Sequence, residues 1–201
     1  MRTFRWLVLI SLVALAAACA RQQQQPQSPF PAPTPIGTIR QVMESEVATN
    51  ADVLFNSVAV TVSATGTDAK QPTTDEDWAE VRHAAFTLAE ATNLLLMPRR
   101  VSTPDTENTS NGPTELPPIK IQERIAASPD KWAMHVMDLR NVAMQALKVT
   151  TDKNVQGLAD VGEPIDKACE NCHLEFWYPD EKPPDASGAP RSKEAAPPAK
   201  P

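Results

Sequence analysis

The chain is poor in the residues that most metal, nucleic-acid and membrane functions depend on. It has only three cysteines and three histidines, and beyond one cluster near its end only Cys19, His83 and His135 remain. A closed four-ligand zinc site would therefore have no second cysteine pair to draw on. No basic run and no interleaving of aromatic with basic residues occurs, and the net charge is −6, which argues against nucleic acid as a partner. The longest apolar stretch, Trp6 to Ala18 with Ser11 as its one polar residue, is too short to span a bilayer comfortably. No segment shows a convincing strand pattern, and no nucleophile–base pair or second metal site speaks for an enzyme.

What is present is the run Cys169-Glu170-Asn171-Cys172-His173. Two cysteines three apart on a helix face the same side, where both thiols can add to the two vinyl groups of one porphyrin. His173, the next residue, is then carried round to the iron as an axial ligand. The cofactor expected is one covalently bound haem c, held by Cys169 and Cys172 with His173 on the metal. The same CxxC spacing also occurs in zinc ribbons and thioredoxin-like redox sites. The first would want more ligands than the chain offers, and the second a βαβ setting, whereas the sequence around Cys169 reads as a helix end.

The amino terminus points to export. Arg2 and Arg5 precede the apolar stretch, the charge order of a secretory signal. The stretch closes on Leu15-Ala16-Ala17-Ala18-Cys19, which resembles a bacterial lipoprotein cleavage site with Cys19 as the lipidated residue. Such sites usually carry Leu three places before the cysteine, where this chain has Ala16, and ordinary cleavage nearby is the alternative. Residues 20–35 hold four consecutive glutamines and then spaced prolines, a composition that forms no core and suits an extended tether. The expected organisation is a signal at 1–19, the tether at 20–35, one domain at 36–178 and a disordered proline-rich tail at 179–201. The expected location is the periplasmic side of a bacterial membrane, anchored by lipid.

Inside the domain the apolar spacing is helical. Ile36, Ile39, Met43, Val47, Ala51, Leu54, Val58 and Val62 recur at threes and fours, which predicts one long amphipathic helix. A second helix starts near Thr74, where the run Thr73 to Asp77 supplies a cap and first-turn acids, and stops at Pro98. A third is announced by Ser128-Pro129-Asp130 and fades near Thr151. A fourth runs from about Asn154 into the CxxCH run, with Gly162 and Pro164 expected to kink or restart it. Residues 99–127 are rich in Pro, Thr and Asn, and Ile119 to Ile125 is expected to form a short helical turn. The fold class is therefore all-α, an antiparallel four-helix bundle with CxxCH near the end of the fourth helix.

These pieces resemble the class II c-type cytochromes, the cytochrome c′ group, over roughly residues 36–178, with the CxxCH as the specific part. The resemblance implies single-electron carriage, with Met43 on the first helix binding the iron opposite His173 and Arg40 approaching a haem propionate. It also implies an alternative, a five-coordinate site open to nitric oxide or carbon monoxide. Members of the group often pair as homodimers, and an acidic chain permits a basic redox partner. His135, between Met134 and Met137, and His83 are rival ligands of lower rank. Trp132, Phe176 and Trp177 are expected to wall the haem. The chain departs from the group after the haem histidine, where an acidic and aromatic run replaces a basic residue.

Overall fold

In a computed structural model the chain is mostly helical. The structure describes residues 31–64, 66–103 and 114–181; the expected signal at 1–19 with Cys19, most of the expected tether and nearly all of the expected tail lie outside them. Among the described residues no helix is long and apolar enough to cross a membrane.

The first helix opens at Thr38, whose side chain accepts from the Gln41 N–H while Gln41 returns a bond to the Thr38 N–H. This capping box satisfies N–H groups that have no partner within the helix. Helix α1, Ile39–Val42, passes into a π-helical stretch, Met43–Ala48, and then into α2, Thr49–Phe55. The polar side chains here supply a local cause. Ser45, Thr49 and Asn50 each donate to a backbone carbonyl four or five residues earlier, competing with the regular helix ladder.

The long first helix expected through Val62 ends at Phe55. Asn56 and Ser57 donate their side chains back to the carbonyls of Asp52 and Leu54. Then β1, Ala59–Ser63, pairs antiparallel with β2, Gly66–Lys70, with Ala59 opposite Lys70 and Ser63 opposite Gly66. This small hairpin is an addition to a chain that is otherwise helical, as an all-α class expects. Val58, Val60 and Val62 also alternate at a period of two, and β-branched residues favour that conformation over the helix. Gly66, with φ of 144°, turns the chain in a region closed to side chains with a Cβ.

Helix α3, Asp75–Leu96, carries the expected cap at Thr74, completed by Asp77. Helix α4, Pro118–Ala127, is a full ten-residue helix where the sequence suggested a turn. Helix α5, Pro129–Thr151, begins at the expected proline, but the Ser128 side chain makes no capping bond; its N–H instead closes α4 on Arg124 and Ile125. The last helix is broken as the glycine and proline suggest, into α6, Val155–Asp160, and α7, Gly162–Phe176.

One apolar core runs through these elements, with Leu88, Ala143 and Ile165 fully buried. α3 packs along α5, α5 against α7, α2 against α3, and α2 touches α7. The segment after α3 is stitched to the first helix, its Arg100 and Val101 carbonyls accepting from the N–H groups of Ile39 and Arg40 at 2.8 and 3.0 Å. Val101 in turn donates to the Gln122 side chain on α4 at 2.9 Å.

Candidate functional site

Helix α7 buries Ile165, Ala168, Cys172 and Phe176, the three-and-four spacing of a single face. Cys169, one residue round, is half-buried, and both thiols are free. This face closes a cavity of about 230 Å³ with Met43, Val47, Ala51 and Phe55 on one side and Trp132, His135 and Leu139 of α5 on another. Cys169, Cys172, His173 and Met43 all line it. A second cavity, of about 300 Å³, is lined by Arg40, Ser102, Glu115, Trp177 and Tyr178. Met43 and His173 line both. The two spaces thus meet at the two residues expected to bind iron, one space apolar and next to the thiols, the other polar.

Burial raises the Cys169 thiol to about 11 and the Cys172 thiol to about 12, with Asp166 and Glu170 adding to the first and Cys169 and Glu175 to the second. Thiols held protonated in this way are poor nucleophiles, the reverse of a thioredoxin-like site, which depends on a lowered thiol pKa. Among the described residues no group of three or more His, Cys, Asp or Glu side chains converges to hold a metal ion. The donor chemistry that remains, two thiols with one histidine and one thioether around an apolar slot, fits a covalently attached haem.

His173 stands beside Trp177 and Tyr178, with ring centroids 5.6 and 5.8 Å away. Burial draws its imidazole below its ordinary value, and the carboxylates of Glu170 and Glu115 oppose that shift. A neutral imidazole is the form that binds a metal. Of the three aromatics expected around the site, Trp132 lines the thiol cavity and Trp177 the polar one, while Phe176 lines neither; Trp132 meets Phe176 edge-on at 5.4 Å and stacks on Trp177 at 6.1 Å. The Trp132 indole also donates to the Leu95 carbonyl at 3.0 Å, which ties α5 to the end of α3.

Arg40 is half-exposed and ion-paired with Glu44 one turn on, both on the wall of the second cavity. A propionate partner at Arg40 would share that cation with Glu44. His83 is on the exposed face of α3, away from the site. His135 stands nearer than its rank suggested: it lines the thiol cavity and meets the Phe176 ring at 6.0 Å. Its position was legible, because it falls three after Trp132 and four before Leu139 on the buried stripe. Glu115 had no signal, since it sits in a Pro- and Thr-rich segment without periodicity.

Compared with known proteins, the chain matches no family model, no curated protein and no solved structure.

Proposed function

We propose that this chain is a c-type cytochrome that carries single electrons, with haem joined to Cys169 and Cys172 and ligated by His173 and Met43. The observation that carries the reading is that these four side chains, from two ends of the sequence, line one apolar cavity. Their convergence is independent of the motif: nothing in a CxxCH run requires a methionine more than a hundred residues earlier to face it. Bound haem would supply a one-electron iron couple, and methionine ligation would favour the reduced state relative to a second histidine. The apolar walls and the aromatic cluster keep water from the site.

In this reading α1 to α2, α3, α5 and α6 to α7 form an antiparallel four-helix bundle of the class II cytochrome type, supported by the contacts of α2 with α3, α3 with α5, α5 with α7 and α7 with α2. The hairpin and α4 are additions to it. Export and a lipid anchor at Cys19 belong to the same proposal and rest on the amino-terminal sequence alone.

The test is the optical spectrum of protein matured with a cytochrome assembly system. A low-spin ferric spectrum with a sulfur-to-iron band at the red end, lost in Met43→Ala, is the expected result. A high-spin spectrum that responds to nitric oxide would favour the open, gas-binding site instead. Intact mass without added porphyrin would remove the haem reading altogether.

A further inference from the structure

Arg99 and Arg100 follow the end of α3 and line a third cavity, of about 460 Å³, with Ser102, Gln122 and the first turn of α4. No Asp or Glu is among the described residues that line it. Among those residues the half-buried Arg99 guanidinium has only neutral partners: the Gly37 carbonyl at 3.3 Å, the Met97 carbonyl at 3.4 Å and the Met97 sulfur at 3.6 Å. A partly desolvated cation with no counter-ion beside it is left under-compensated. Gln122 accepts the Val101 N–H through its side-chain oxygen, so what remains of that side chain is a donor. α4 opens with no side-chain cap and no first-turn acid, which leaves the positive end of its dipole on the same wall. Cations and donors without a carboxylate call for an oxoanion, which a guanidinium takes in its fork.

The place of the cavity selects the anion. Gly37, which Arg99 holds, lies two residues beyond the expected tether at 20–35, so both arginines stand where an anchored chain would enter the domain. Ile36, between tether and Gly37, is fully exposed, and Ile119 on the cavity wall is exposed as well. Cations flanked by exposed isoleucines suit an anionic lipid surface, where the charges meet phosphate and the apolar side chains reach the acyl boundary. We infer that the Arg99 and Arg100 cavity binds the phosphate groups of anionic lipid and docks the domain on its membrane; this rests on the export and lipid anchor proposed above and needs no haem. A short tether keeps the domain at an effective concentration in the millimolar range, so a weak contact is enough to hold it there.

The experiment uses the full chain with Cys19→Ser, which cannot be lipidated there, and vesicles of phosphatidylcholine alone or mixed with anionic phosphatidylglycerol. Flotation should show binding to the mixed vesicles only, weakened by salt. Arg99→Gln and Arg100→Gln should each lower the affinity about fivefold, and together roughly thirtyfold. Ile36→Ser with Ile119→Ser should weaken binding without changing its salt dependence. Arg100 and the two isoleucines are exposed, so their variants test the surface even if loss of the Arg99 bond to Gly37 disturbs the fold. No binding, equal binding to both vesicles, or binding unmoved by the arginine variants would overturn the docking site. Inorganic phosphate that binds the same arginines more tightly than the vesicle lipid does would make this a site for the free ion and overturn the lipid assignment. Intact mass of the exported wild-type chain reads the anchor itself: no lipid at Cys19 would overturn the anchoring, whatever the vesicles show.

Discussion

Trp132→Phe removes one hydrogen-bond donor at a point where the helix cannot replace it. Leu95 is the second-last residue of α3, so its carbonyl is among those left without a partner at a helix C-terminus. The Trp132 indole fills that need at 3.0 Å in a buried setting. Losing the bond costs about 1 kcal/mol, and a buried carbonyl left unsatisfied brings the figure to about 1–3 kcal/mol. Phenylalanine also fills less of the space between Phe176 and Trp177, against which the indole now packs, and this loss adds roughly 1 kcal/mol. The sum is about 2–4 kcal/mol. With a urea dependence of roughly 2 kcal/mol per molar, the unfolding midpoint should fall by about 1–2 M at unchanged slope. A shift under about 0.3 M would refute the claim that this bond closes the end of α3. The comparison is best made in both the apo and haem-loaded protein, because the same ring walls the thiol cavity.

Replacing both Cys169 and Cys172 by Ser should leave no porphyrin on the chain after acid–acetone extraction, as mass spectrometry would show; retained porphyrin would place the attachment elsewhere. Thr74→Ala should cost about 1 kcal/mol in chemical unfolding by removing the cap of α3. Asp77, held at about 2 against an ordinary 3.8 by the N–H groups of Thr73 and Thr74, makes a contribution present above about pH 4. That contribution fades as the pH falls toward 2, so Asp77→Asn should flatten the acid limb of the stability curve over that window. Gly157→Ala should destabilise despite alanine's better helix propensity, because a Cβ there would lie 2.7 Å from Asn154 Nδ2 and 2.8 Å from Val149 Cγ1; a raised melting temperature would contradict this.

The helix starts were legible because they rest on chemistry local to a few residues. Thr74 with Asp77, Pro129, and the break at Gly162 and Pro164 all stand where the sequence put them. Ser128 was misread in role because its neighbour α4 took up its backbone first. The hairpin was hidden because valines two apart are also four apart, so Val58 and Val62 extend a helical stripe as readily as a strand. The thiols and His173 were readable as a motif, and Met43 as a position on a stripe. The bonds that tie Thr114 and Leu116 to the chain after α7 were not readable, since they join residues distant in sequence and depend on where α4 comes to rest.

The π-helical stretch explains how Met43 reaches the cavity. A regular helix turns about 100° per residue, which would set Ala48, Asp52 and Phe55 roughly 140°, 180° and 120° away from Met43. A π-bulge absorbs one extra residue without advancing the helix face. Discounting that residue, the same three positions fall about 40°, 80° and 20° from Met43, and Ala51 about 20° to its other side. That is the arc that lines the thiol cavity. Deleting Ser45, exposed within the stretch, should therefore yield a regular helix that keeps Met43 on this arc, and under the proposed ligation the haem-loaded variant should give the same low-spin spectrum as the parent. Inserting an alanine after Ser45 should turn Met43 away by about 100° and give a high-spin spectrum if the new helix stays regular beyond the bulge. The opposite pattern, deletion losing the ligand and insertion sparing it, would show that the bulge does not set the register of Met43.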